Sequence, residues 1–279
     1  MTTSTNRQIS DRVSVAAGWT HAGIIMRRNM LRTVRLPQLL VFATIQPIMF
    51  LLLFNYVFGG ALTSSLPPAA NGSYINWLIP GLLIQVATFG SSQTAIGLTE
   101  DLKGGVIDRF RSLPIARSAV LAGRTFADLA RNAVVMSIML VVGYLIGFRP
   151  TTTFAAVVLG LIIALLWAYA LSWVMASIGL LVKDPEATQS AVFMPMFILV
   201  FASSVFVPVE TLPSWLQGFA ANQPVTVMAN ALRGLMLGEG ALPAGTSIQS
   251  AVLLAFVWLV AVTAVAVPIA VRFYRRSAG

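Results

Sequence analysis

Every stretch of this chain long enough to cross a bilayer is free of charge, and its cations are gathered where a single membrane face would hold them. No Asp, Glu, Lys or Arg occurs between Arg35 and Glu100, Arg131 and Arg149, Arg149 and Lys183, Glu186 and Glu210, or Glu239 and Arg272. A helix crossing about 30 Å of hydrocarbon needs roughly 20 apolar residues. The gaps therefore predict six spans, at residues 36–58, 77–99, 129–148, 154–182, 187–207 and 250–271. With the N-terminus placed in the cytoplasm, 16 of the 18 Lys and Arg residues fall inside and only Arg149 and Arg233 fall outside. The excess of inner cations predicts that both termini are cytoplasmic.

Composition narrows the class further. A mean hydropathy of +0.84 with 57% apolar residues leaves too little polar surface to clothe a water-soluble fold. A closed barrel is excluded because these runs are apolar all round and too long for strands that alternate at period two. The net charge of +9 borders membrane spans, which fits an anionic inner leaflet and gives no reason to invoke nucleic acid. Cysteine is absent, so there are no disulfides and no thiolate chemistry. The first apolar run is of full span length and lacks a small-residue cleavage pattern, so a removable signal is not expected.

Residues 1–35 read as a cytoplasmic segment. Within it Val15, Trp19, Ala22, Met26 and Met30 share one helical face opposite Arg28, Arg32 and Arg35. That pattern fits an amphipathic helix in the interface, and equally a basic flank that sets topology. The remainder, 36–279, is one transmembrane domain. Residues 59–76 read as a short external loop. The connection 100–131 is its opposite, with ten of the chain's 27 charges interleaved with Val106, Phe110, Leu113, Ile115, Val120 and Leu121. It is too apolar for a disordered linker. Lys183-Asp184-Pro185-Glu186 reads as a tight inner turn. Residues 208–247 hold two helix starts, marked by Pro213 and Pro224. They are too apolar for a free loop and too short to cross twice, which predicts a re-entrant external hairpin buried against other spans.

Chemistry is nearly absent. The single histidine, His21, lies in the flank, so neither a His-based triad nor a His metal site can be assembled. No ionisable residue falls in the middle of the expected spans, which argues against ion coupling. A phosphate loop requires Gly-Lys-Ser or Gly-Lys-Thr, and the two lysines are followed by Gly104 and Asp184. The chain thus has no nucleotide or metal site and no catalytic residue of its own. It is a polytopic body with one structured, charged inner insert, and that combination asks for a partner that supplies energy.

Asp108-Arg109-Phe110-Arg111-Ser112-Leu113-Pro114-Ile115-Ala116-Arg117, continuing to Gly123-Arg124 and Asp128, resembles the second-to-third-span loop of type 2 ABC exporter (ABC-2) permeases. Asp184-Pro185-Glu186-Ala187, Val207-Pro208-Val209 with Leu212-Pro213-Ser214-Trp215-Leu216, and Asn222-Gln223-Pro224-Val225-Thr226 with Ala231-Leu232-Arg233-Gly234-Leu235 match the same family, especially its daunorubicin-resistance branch. The resemblance covers nearly the whole chain in order. It implies a complex of two permease subunits, identical or paralogous, with two separate ATPase subunits that bind ATP and Mg. It places a coupling helix on the ATPase through Asp108, Arg109, Phe110, Arg111, Leu113, Pro114 and Arg117, with Lys183, Asp184 and Glu186 beside it. The alternative reading treats these arginines purely as positive-inside determinants.

A path for a hydrophobic drug-like or lipid-like substrate is expected between the second and fifth spans, from Gln85, Thr88, Phe89 and Ser92 on one and Phe193, Met194, Met196 and Phe197 on the other. Aromatic area and adaptable methionines suit lipophilic solutes. The same polar residues could instead bond neighbouring helices while Phe and Met face lipid or core. Export of a cell-envelope glycan or lipid-linked polymer is the nearest rival. An ion-coupled carrier is disfavoured by the missing buried charges, and a membrane-embedded enzyme by the missing catalytic constellation. The expected location is the bacterial inner membrane.

Overall fold

The computed structural model describes residues 37–67, 70, 72–104 and 117–277, and among them every regular element is helical. Helix α1 is Pro37–Leu53, and its rod continues through a π-helical turn, Phe54–Phe58, and a further turn, Gly59–Leu62. Next come α2 (Tyr74–Lys103), α3 (Arg117–Ile146), α4 (Phe154–Val182) and α5 (Pro185–Phe201). Two shorter helices follow, α6 (Ser214–Asn222) and α7 (Pro224–Leu237), before α8 (Ile248–Ser277). The expected interfacial helix at 11–35 and most of the coupling segment, including Asp108, Arg109, Phe110, Arg111, Leu113 and Pro114, lie outside the described residues.

Local chemistry explains where the helices begin and end. Asp184 caps α5, its Oδ2 accepting from the amides of Glu186 (3.0 Å) and Ala187 (3.3 Å), with Pro185 in the first turn. Just before it, α4 closes on Lys183 in the left-handed region, φ 63°. Gln223 caps α7 by accepting from Val225 N at 3.1 Å, again ahead of a proline.

Four stretches among the described residues are long and apolar enough to cross a membrane: Ala43–Leu62, Arg124–Ile146, Phe154–Val182 and Ile248–Tyr274. Helix α5 is also apolar but only 17 residues long. Helix α2 has the length, 30 residues, but Gln85, Thr88, Ser91, Ser92, Gln93 and Thr94 make it more polar. The packing accounts for this: α2 sits at the centre, with α1, α3, α4, α5 and α7 against it, so it exposes little to lipid. Hydroxyls bonded within a helix bundle cost little there. Contact with α4 is close because Gly179 meets Ala95, whose carbonyl oxygen would lie 2.7 Å from any added Cβ.

The bundle has two chemically distinct ends. At one, Lys103 closes α2 and stands 3.6 Å from Asp184, while Arg124 pairs with Asp101. Leu98, Trp173, Ala176, Leu180, Ala266, Ala270 and Tyr274 form the apolar cluster behind that end. The other end holds α6, α7 and the 148–153 turn. There Thr151 and Thr152 hydroxyls donate to the carbonyls of Leu237 (2.8 Å) and Leu235 (2.5 Å). Helix α7 is buried along nearly its whole length, whereas α6 leaves Trp215 and Phe219 exposed.

Candidate substrate path and coupling surface

A series of aromatic rings starts on one flank of the bundle and passes through Phe206, which is buried in the core. Phe89 of α2 lies 5.8 Å from Phe193 of α5, which is followed by Phe197 (6.0 Å) and Phe201 (4.2 Å). Phe201 touches Phe206 (4.9 Å), which stacks on Phe54 at 4.3 Å, and Phe54 meets Phe58 at 5.2 Å. The i, i+4 spacing of Phe193, Phe197 and Phe201 makes the stripe. Helix α5 packs on α2 and α4 through Thr188, Val192, Met196 and Val200, and this turns the rings outward. Phe193 is 50% exposed, Met194 63% and Phe197 40%.

The expected path residues thus divide. Phe89, Phe193, Met194 and Phe197 share the open flank. Met196 is withdrawn from it, buried with Val192 against Ala95 and Met175. Thr88 is withdrawn too: its hydroxyl donates to Ile84 O at 2.7 Å and accepts from Trp167 Nε1 at 3.0 Å, so it belongs to the contact with α4. Ser92 is buried with its hydroxyl unpartnered. Gln85 is buried, with its Oε1 unpartnered, at the edge of a cavity of about 320 Å3 between α1, α2 and α3.

The residues expected to couple to an ATPase converge as far as they are described. Lys183, Asp184 and Glu186 sit at the same end as Lys103, where the 105–116 segment departs, and Arg117, where it returns into α3. Asp184 carries its charge readily, because the amides of Ala187 and Glu186 and then the Lys103 ammonium hold its carboxyl below the usual carboxylate range.

Two arginines matter in ways that sequence reasoning missed. Arg131, expected at a loop boundary, reaches Gly90 O of α2 at 3.2 Å, about 20 Å along that helix from Lys103 at roughly 1.5 Å per residue. It is held by Asp128 at 3.2 Å, whose other oxygen accepts from Thr94 Oγ1 at 2.6 Å. A readable signal existed: Arg124, Asp128 and Arg131 recur at i, i+4 and i+7, on one helical face.

Arg233 is wholly buried. Its Nη1 donates to Ser204 Oγ (2.8 Å) and Asn230 Oδ1 (3.3 Å), its Nη2 to the carbonyls of Ser204 (2.5 Å) and Val205 (3.2 Å), and its Nε to Trp77 O (3.3 Å). The guanidinium also lies 3.6 Å above the Trp77 ring. Nearby, Tyr74 OH donates to Phe206 O at 2.5 Å. Together they pin the 203–206 turn and α7 to the start of α2. Among the described residues there is no cluster of three or more His, Asp or Glu able to hold a metal.

These features define a multi-pass helical membrane protein with a polar central helix, an open aromatic flank and one charged end. The chain belongs to the ABC-2 type transporter family, whose pattern matches residues 20–237. It is 32% identical over 264 residues to the daunorubicin resistance ABC transporter permease protein DrrB1 of Streptomyces coeruleorubidus, covering 95% of this chain and 88% of that protein. It is also 26% identical over 236 residues to a Mycobacterium tuberculosis protein described as a probable doxorubicin resistance ABC transporter permease, DrrC, covering 84% and 81% respectively. The chain is therefore an ABC transporter permease related to drug-resistance permeases.

Proposed function

We propose that this permease is the membrane subunit of an ATP-driven exporter that moves a hydrophobic, drug-like or lipid-like molecule out of a bacterial cell. ATP and Mg are bound and used by two copies of a separate ATPase, seated on the end that carries Lys103, Arg117, Lys183, Asp184 and Glu186. A second permease, identical or paralogous, faces the open flank of α1 and α5. Six helices cross, α1 to α5 and α8, with both termini in the cytoplasm and the α6–α7 pair re-entering from outside. The distribution of Lys and Arg supports that orientation. Cysteines at Gly240 and Glu186 test it, since the protein has none of its own. The first should react with a membrane-impermeant thiol reagent in intact cells and the second only after lysis; the reverse pattern would invert the topology.

The observation that carries the reading is the aromatic series from Phe89 to Phe58. A solute without charge complementarity can be held only by apolar area and scattered hydrogen bonds, and stacked rings supply that area in a form that accepts many shapes. The relatives' names make daunorubicin and doxorubicin the first compounds to try. Replacing both Phe193 and Phe197 with Ala should change the ranking of exported compounds several-fold, since each aromatic contact contributes about 0.5–1.5 kcal/mol, while basal ATPase activity stays within about two-fold. The same change at Phe256, 41% exposed on α8, which packs mainly on α4 and α7, should do little. Equal effects at all three positions would move the path elsewhere.

A further inference from the structure

Arg131 brings a cation to the middle of the bundle. Its Nη2 donates to Gly90 O at 3.2 Å, and Gly90 lies about 20 Å from the Lys103 end of α2 and about 24 Å from the Tyr74 end, at roughly 1.5 Å per residue. Ionisable groups at such depth are costly and rare, and they usually face a path or a cavity. Part of the cost is offset by Asp128, whose Oδ1 stands 3.2 Å from Nη2 while its Oδ2 accepts from Thr94 Oγ1. These contacts use Nη2 alone. Nε and Nη1 make no bond among the described residues, and neither is sealed from a group the size of water.

These free donors belong to the cavity between α1, α2 and α3, whose wall includes Arg131 and Gly90, the residue whose carbonyl holds the guanidinium. Gln46 of α1 and Gln93 of α2 lie on the same wall; both are exposed, and their amides make no bond among the described residues. No Asp or Glu among the described residues lines the cavity, and Asp128 is buried and committed to Thr94 and Arg131. A cation needed only to tie α3 to α2 would be closed over by its partners, as Arg233 is, with all three of its nitrogens bonded. Phe89 lines the cavity too and, through Phe193 at 5.8 Å, joins it to the open aromatic flank.

We propose that this cavity binds the anionic head of an amphiphile, a carboxylate or phosphate on an apolar tail, through Arg131 Nε and Nη1 and the side-chain amides of Gln46 and Gln93. An acid head presents acceptors only, which is what a guanidinium and amide NH2 groups receive. The tail then lies along Phe89 towards Phe193. The inference rests on the export reading and names its substrate class, lipid-like acids. A cationic amine is selected against, because the guanidinium faces it and Asp128 is already paired.

Equilibrium binding without ATP tests this separately from export. The permease in phosphatidylcholine nanodiscs is titrated calorimetrically with 4-octylbenzoate, 4-octylbenzamide and 4-octylbenzylamine, which share a tail and carry an anionic, a neutral and a cationic head, with empty nanodiscs subtracted. Benzoate without the octyl tail separates a site for amphiphiles from a site for any small anion. The octylbenzoate should bind about ten-fold or more tighter than the amide, the worth of one charge-assisted hydrogen bond, and the amine most weakly. Loss of the tail should weaken the acid about ten-fold or more. Arg131→Gln combined with Asp128→Asn removes both charges together and should bring acid and amide within about two-fold. Gln93→Leu, at an exposed residue with no bond to lose, should weaken the acid about three-fold or more. On the unaltered protein, which raises no question of folding, an acid that binds no tighter than the amide, an amine that binds tightest, or a benzoate that binds as well without its tail overturns the proposal. An unchanged acid-to-amide ratio in a folded Arg131→Gln, Asp128→Asn permease overturns it equally. None of these failures would touch ATP-coupled export by the aromatic flank.

Discussion

A permease carrying Arg233→Met is expected to lose most of its thermal stability, although the replacement is similar in length and more apolar. The guanidinium donates to the carbonyls of Trp77, Ser204 and Val205, to Ser204 Oγ and to Asn230. The Ser204 and Val205 carbonyls lie in a buried turn, where the loss of the guanidinium leaves them without this donor. Each buried acceptor left without its donor costs about 1–3 kcal/mol, and several together are a large share of the stability of most folds. The 203–206 turn would come away from α2, and with it the support under α7. Arg233→Lys keeps the charge but not the planar fork, so it should recover part of the loss. Thermal unfolding of the detergent-solubilised permease measures both. A melting point for Arg233→Met within a degree or two of the parent would show that the buried arginine is dispensable.

The second large effect concerns energy coupling. Phe110→Asp combined with Leu113→Asp should leave the permease inserted and folded, yet lower its affinity for the ATPase by about 30-fold or more, the scale of a buried apolar anchor lost from an interface. The argument is one of position. The segment holding both residues joins Lys103 to Arg117, at the end of the bundle that carries the Lys183–Glu186 turn. Topology needs only the arginines there; the interleaved apolar residues need a protein surface. Co-purification of the ATPase with the double variant, scored against the parent, reads the loss directly. Undiminished association together with undiminished transport would remove these residues from the coupling surface.

Much of the fold was legible because apolar length is a one-dimensional signal. The expected span 154–182 coincides with α4, and 250–271 lies inside α8. Where boundaries slipped, a physical cause is visible. Helix α3 starts at Arg117, not near 129, because the second half of the charged insert is helical and feeds straight into it. Helix α5 stops at Phe201, short of 207, because the chain must turn there to bring the Ser204 and Val205 carbonyls to Arg233.

The site was legible only in part. The spacing of Phe193 and Phe197 marks a stripe, but periodicity cannot say which stripe a neighbouring helix will cover, so Met196, one residue before Phe197, was grouped with it and is buried. Thr88 met the same fate through Trp167, a residue 79 positions away in the chain. Arg233 was harder still. A charge buried in carbonyls makes sense only once a distant turn has assembled them, and nothing local announces it.

The account stands or falls on ATP-driven movement of solute. Inside-out vesicles containing this permease and the ABC ATPase that co-purifies with it should accumulate a lipophilic fluorescent compound when ATP and Mg are added. Accumulation should vanish when the ATPase cannot hydrolyse ATP or the permease is omitted, and should survive collapse of the proton gradient. Accumulation that continues without ATP hydrolysis, or that stops when the proton gradient is collapsed, would contradict it.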